Sequence, residues 1–155
     1  MRNRHIDLCT LALIGGALLC GQASAQTQPF TLCAGWPTTF KLTSLTLDPN
    51  PPSVKQAFVE AWTFQNSTAI TTGARIKEVW KLGSSPLQSF TVDLCDELSK
   101  SGLACPLPAG ARAMTKVTYP SANTPPFVTV SIRRELYNGD GSKLACYNMN
   151  VKFKP

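Results

Sequence analysis

Short alternating segments, each closed by proline or glycine, run through this chain and leave few folds open to it. Phe40 and Leu42, then Leu45 and Leu47, alternate with polar neighbours across Thr39 to Leu47, and the one-residue slip between the two pairs predicts a β-bulge. Pro49, Pro51 and Pro52 end that segment, because prolines so close together cannot sit in a central strand. The run from Gln56 to Gln65 sets Phe58, Trp62 and Phe64 on one face and Val59, Ala61 and Thr63 on the other, with Glu60 interrupting the aromatic face. From Gly73 onward Ala74, Ile76, Trp80 and Leu82 oppose Arg75, Lys77 and Lys81, and Glu78 is the residue out of place.

After the Gly83-Ser84-Ser85-Pro86 turn, Phe90, Val92 and Leu94 are in step before Cys95. Ala113 to Tyr119 gives a further strand, closed by Pro120, and Phe127 to Leu136 alternates Val128, Val130, Ile132 and Leu136 with polar residues. Asn138-Gly139-Asp140-Gly141 is a strong hairpin turn, returning into Leu144 to Phe153 with Tyr147, Met149, Val151 and Phe153 inward. Seven strands follow, with helical character confined to about a turn around Asp96 to Ser101, and the fold is expected to be an all-β sandwich or barrel.

The first 25 residues are expected to lie outside that fold. Arg2 and Arg4, the apolar Leu8 to Leu19 and the small residues Ala23-Ser24-Ala25 read as a cleaved secretory signal. The bulky Leu18-Leu19 flank argues against acylation of Cys20 in the manner of a lipoprotein. Residues 26–155 then form a single domain, and the chain works outside the cell or in a vacuolar or lysosomal lumen. Four cysteines remain, Cys33, Cys95, Cys105 and Cys146, and an even number in an exported chain implies two disulfides, for which three pairings exist. Asn66-Ser67-Thr68 is a glycosylation sequon, expected on a surface loop.

The only histidine is His5, inside the signal. Its absence from the rest of the chain excludes histidine-based nucleophile systems, general bases and metal sites. No C-x-x-C spacing offers a metal site instead, and neither a metal nor another cofactor is expected. Asp93, Asp96 and Glu97 are the one acidic cluster; a carboxylate hydrolase built on them is the catalytic alternative, against a solvated turn. Without the signal the chain keeps 13 of its 15 Lys and Arg and 8 of its 9 Asp and Glu, a net charge of about +5 that favours anionic lipid surfaces. The aromatics do not interleave with a basic patch, so nucleic acid is not expected as a partner.

Leu47-Asp48-Pro49-Asn50-Pro51-Pro52, Gly73-Ala74, Asp93-Leu94-Cys95, Cys105-Pro106-Leu107 followed by Gly110, and Asn138 to Cys146 occur in the order found in the ML lipid-recognition family. Across Cys33 to Phe153 the chain resembles that family, most of all its fungal phosphatidylglycerol/phosphatidylinositol transfer branch. It departs at Ser53-Val54-Lys55 and Pro125-Pro126-Phe127, where that branch carries Pro-Gly and Pro-Pro-Gly, and it lacks the additional disulfide of cholesterol-carrying relatives. The resemblance implies an immunoglobulin-like sandwich of two antiparallel sheets with an apolar ligand cavity between them, and the pairings Cys33–Cys146 and Cys95–Cys105. It also implies a monomeric, non-enzymatic carrier of one phospholipid or sterol that touches membranes transiently.

The residues expected to line the cavity are Phe58, Trp62, Phe64, Ile76, Trp80, Phe90, Val92, Val117, Tyr119, Val130, Ile132, Tyr147, Met149 and Val151. Arg75, Lys77 or Lys116 would meet an anionic headgroup, with a solvated face as the plain alternative. The alternative function is a recognition module that binds a glycolipid or sterol and acts through a protein partner.

Overall fold

A computed structural model describes residues 26–155; the expected signal peptide lies outside them. Nine strands form two antiparallel sheets: β1 (Gln26–Thr27), β2 (Phe30–Leu32), β3 (Phe40–Asp48), β4 (Phe58–Asn66), β5 (Arg75–Leu82), β6 (Ser85–Asp93), β7 (Gly110–Thr118), β8 (Thr129–Tyr137) and β9 (Lys143–Lys152). One short helix, α1 (Leu94–Ser99), follows β6. The first sheet has the order β1-β3-β4-β7 and the second β2-β9-β8-β5-β6. The seven long strands answer to the seven expected alternations; β1 and β2 are additional and too short to show a period. The expected bulge is present, as a register shift between Leu42 and Ser44 on β3.

Alternation makes the sandwich. Along β4, Phe58, Glu60, Trp62, Phe64 and Asn66 are buried while Val59, Ala61, Thr63 and Gln65 are exposed. Ile76, Glu78 and Trp80 of β5 and Val130, Ile132, Arg134 and Leu136 of β8 face them from the other sheet. Phe40 stacks on Phe64 at 4.4 Å, and Phe153 meets Phe58 and Trp80 at 6.0 and 6.1 Å. Burying such aromatics on both facing surfaces is the main driving force of the fold.

The two long edges of the sandwich differ. Along the β3/β9 edge the chain crosses from β1 to β2, and Gln28 holds both sheets, its N–H donating to the Leu45 carbonyl at 2.7 Å and its side chain to the Asn150 carbonyl at 2.8 Å. Along the β6/β7 edge only α1 and its loop cross, so Leu87, Phe90 and Val92 of the edge strand β6 stay half-buried. Pro86 is tolerated at the start of β6 because an edge strand has one side free of ladder bonds.

One end carries α1, the Cys95–Cys105 disulfide and the Asn138 turn, with the Cys33–Cys146 disulfide on the same side. Asp93 caps α1, its side chain accepting from the Asp96 N–H at 3.1 Å. Asn138 binds the Thr71 N–H at 2.8 Å and the Ala69 carbonyl at 3.1 Å, fastening the β8–β9 turn to the β4–β5 connection. The opposite end is built from Pro49 to Pro52, the Gly83-Ser84 turn and the proline-rich segment between β7 and β8. Among the described residues no helix is long and apolar enough to cross a membrane.

Candidate functional site

The interior between the sheets is apolar except for one row of charges. Strand register places Leu47, Glu60 and Lys116 side by side on the first sheet. On the facing sheet it places Tyr147, Arg134, Glu78 and Phe90 side by side. Arg134 donates from both terminal nitrogens to the Glu60 carboxylate, Nη1 to Oε2 at 2.6 Å and Nη2 to Oε1 at 2.7 Å, and its Nε lies 3.2 Å from Glu78 Oε1. Lys116 Nζ lies 2.8 Å from Glu78 Oε1 and 4.0 Å from Glu60 Oε1. All four side chains are at most 3% exposed.

Further donors complete the row. Trp62 Nε1 donates to Glu60 at 3.1 Å, Trp80 Nε1 to Glu78 at 3.2 Å, and Thr118 Oγ1 to Glu60, while Lys116 donates to Thr118 Oγ1 at 2.9 Å. The Arg134 guanidinium also lies 5.1 Å over the Trp62 ring. Two acids and two bases sum to zero, so the row balances its own charge. Burial alone would raise the Glu60 carboxyl; the Arg134 and Lys116 charges and the bonds from Arg134 and Thr118 overcome it and hold the group at about 2. Burial likewise opposes the Arg134 charge, and the two glutamates beside it reverse that and push its pKa up. Separating one partner from this row leaves an uncompensated buried charge, which costs about 3–5 kcal/mol.

Glu60 and Glu78, which interrupt otherwise apolar faces in the sequence, are therefore inward residues in correct register. The expected headgroup role of Lys116 is replaced: it is neither at a mouth nor on a solvated face but locked between the sheets. Arg75 instead lies 5.2 Å over the Tyr137 ring, and Lys77 is exposed on the outer face.

Phe58, Trp62, Phe64, Ile76, Trp80, Val130, Ile132, Tyr147, Met149 and Val151 all point between the sheets as expected, each at most 3% exposed. The Tyr147 hydroxyl accepts from the Leu42 N–H at 2.8 Å and donates to the Phe40 carbonyl, and burial pushes its pKa up to about 12. Phe90 and Val92 line the half-covered β6 edge. Val117 and Tyr119 do not belong with them: they are 52% and 71% exposed. The ladder to β4 sets Met114 opposite Trp62, Lys116 opposite Glu60 and Thr118 opposite Phe58, so the polar residues Lys116 and Thr118 take the inward positions and the apolar pair turns out.

Two further expectations change. Asn66 is the last residue of β4 and 2% exposed, with its side-chain nitrogen donating to the Thr68 and Pro108 carbonyls at 2.9 and 3.0 Å. The sequon asparagine is thus buried at a strand end, not displayed on a surface loop. The acidic cluster is occupied by α1: Asp93 is its cap and Glu97 pairs with Lys100 at 2.7 Å.

The ML domain family matches residues 27–153. The chain belongs to the ML domain family. It is 30% identical over 129 residues to a phosphatidylglycerol/phosphatidylinositol transfer protein of Pyricularia oryzae, covering 81% of this chain and 71% of that one. It is 29% identical over 128 residues to the protein of the same name from Debaryomyces hansenii, covering 82% of this chain and 65% of the relative. The chain thus spans about two thirds of the length of such relatives. Among solved structures, a Niemann-Pick type C2 protein from the Japanese carpenter ant superposes with a TM-score of 0.64 at 19% identity, covering 81% of this chain and 99% of the other. That likeness establishes the ML fold. The pairings Cys33–Cys146 and Cys95–Cys105 are those the family resemblance implies, with Cα separations of 5.3 and 5.7 Å.

The ionic row is the feature that sequence reading missed. Its signal was available: Glu60, Glu78, Lys116 and Arg134 occupy inward positions of period-two strands and their charges cancel. Single misfits read as noise, whereas four that cancel imply a shared site.

Proposed function

We propose that this ML domain protein is an exported carrier that holds the apolar tail of one phospholipid or sterol between its sheets and moves it between membranes. The observation that carries this reading is the unequal fastening of an apolar interior, with both disulfides toward one end and hydrogen bonds alone at the proline end. Each methylene moved from water into that interior contributes about 0.8 kcal/mol, so a modest tail offsets the work of parting packed side chains. Carriage makes and breaks no covalent bond, in keeping with relatives named as transfer proteins.

The proline end has the surface such a carrier needs. Tyr119 and Phe127 are 71% and 73% exposed there, beside the cross-strand pair Val59 and Val117. Phe127 has a positive φ of 62° and donates its N–H to the Phe153 carbonyl at 3.0 Å, so the backbone holds this aromatic outward. Lys55, Lys81, Lys152 and Lys154 are exposed around the same end, against one acid, Asp48. Aromatic residues ringed by lysines suit contact with an anionic membrane surface. Of the expected lining residues, Phe58, Trp80, Val130, Ile132, Met149 and Val151 are on this side of the ionic row and are the first a tail would meet.

The test is transfer of fluorescent phosphatidylglycerol, phosphatidylinositol and sterol between vesicles, with native mass spectrometry of the purified protein. Accelerated transfer and a co-purifying lipid are expected. Saturable binding of a protein partner without transfer would favour a recognition module instead, and a chain that neither transfers nor binds lipid would overturn carriage.

A further inference from the structure

The ionic row divides the apolar interior in two. On the disulfide side lie Phe40, Leu42, Trp62, Phe64, Ile76 and Leu136; on the proline side lie Phe58, Trp80, Val130, Ile132, Val151 and Phe153. Between them Glu60–Arg134 and Lys116–Glu78 cross from sheet to sheet, joining β4 and the edge strand β7 to β8 and β5, with Leu47 of β3 and Tyr147 of β9 beside them. We infer that this row is a floor that stops an acyl chain entering from the proline end, and that it sets a ceiling on the length of tail the protein can bury. The inference rests on the carrier reading and names the ligand class of that same site: a single tail of medium length.

Parting the sheets costs different amounts on the two sides of this boundary. Below the row a tail displaces apolar contacts and replaces them with its own. At the row it would have to separate buried ion pairs made at 2.6–2.8 Å, each of whose members is at most 3% exposed. Tryptophan donors on Glu60 and Glu78 hold the carboxylates in place from the sides. Methylenes pushed against this layer gain nothing, because the next apolar space lies beyond it.

The available depth follows from strand length. Four residues separate Glu78 from Leu82 on β5, about 13 Å at 3.3 Å per residue, which holds roughly ten carbons of extended chain. One leaflet of a bilayer is about 15 Å of hydrocarbon, so a tail of ordinary membrane length does not fit whole. Its remaining carbons would stay at the rim formed by Tyr119 and Phe127.

Binding of lysophosphatidylglycerols with octanoyl, decanoyl, lauroyl, palmitoyl and stearoyl tails to the full chain, each below its micellar concentration, tests this. Affinity should rise about fourfold per methylene up to roughly ten carbons and stay flat beyond. A rise that continues unbroken to the stearoyl tail would overturn the floor while leaving lipid carriage standing. Failure to bind at any length would overturn carriage and the floor with it. The variant Glu60→Met, Glu78→Met, Lys116→Met and Arg134→Met, folded by circular dichroism, should regain the rise past decanoyl; an unchanged plateau in it would also sink the inference. The wild-type series decides the matter even where that variant does not fold.

Discussion

The two ends of this sandwich are made of the same strands and fastened by different means. At the disulfide end, covalent bonds, a capped helix and the Asn138 and Asn66 side chains join strand to loop and loop to strand. At the proline end the joints are hydrogen bonds from the β3–β4 connection to the residues after β9, such as the Val54 N–H to the Lys154 carbonyl at 3.0 Å and the Ser53 hydroxyl to the Pro155 carbonyl at 2.8 Å. Exposed aromatics gather only at the second end. A sandwich that must admit a ligand needs one end that keeps register and another that yields, since loss of both would unfold it. The ionic row lies where the two regimes meet.

The largest effect should come from removing the strongest tie of the rigid end. Cys33–Cys146 closes a loop of 113 residues, for which chain entropy alone gives about 4–5 kcal/mol. Replacing both cysteines with serine should lower stability by that order in urea unfolding. In native-state hydrogen exchange, amides of β2 and β9 should lose the protection that sets them apart from the proline end. If protection at the two ends already matches in the wild type, the contrast between them fails.

Next in size is the boundary. Arg134→Met strands two buried carboxylates and should cost about 3–5 kcal/mol, whereas replacing all four charged residues with apolar ones of similar volume should be near neutral or stabilising. A single variant as stable as the fourfold one would show that the row does not act as a unit. The same row predicts an acid transition. The Glu60 carboxyl is held at about 2 against 4.5 when free, so it contributes stability that is fully present above pH 4.5 and is lost as pH falls toward 2. The melting temperature of the fourfold variant should therefore fall less than that of the wild type across this window.

How much of this was legible in the sequence depended on which residues carried the pattern. Where apolar residues alternated, as from Phe40 to Leu47 or Val130 to Leu136, strand, face and even the β3 bulge could be read, because burial of apolar area decides the face. The rule failed at β7. There Val117 and Tyr119 had the apolar side chains, but Lys116 and Thr118 had partners waiting at Glu60 and Glu78, and a satisfied buried charge outweighed two exposed apolar groups. The sequon at Asn66 failed for a related reason: its local motif carries no information that Pro108, 42 residues away, accepts its side-chain hydrogen bond. Pairings across sheets are nonlocal, and a one-dimensional period cannot report them.

The smallest expected effect on stability is the most direct probe of the yielding end. Phe127 holds a left-handed backbone that disfavours any residue except glycine. Phe127→Gly relieves that strain while adding glycine's entropy, so folding free energy should stay within about 1 kcal/mol of the wild type. Its backbone bond to Phe153 is kept, and so is the loop it closes. What the variant loses is an aromatic ring, 73% exposed, at the end where a membrane would be met. Lipid transfer between anionic vesicles should slow several-fold, whereas binding of a soluble octanoyl lysolipid, which requires no membrane contact, should be unchanged. Were both to fall together, Phe127 would belong to the slot rather than to the surface that meets the membrane; were neither to fall, the exposed aromatics would have no part in drawing lipid to this end.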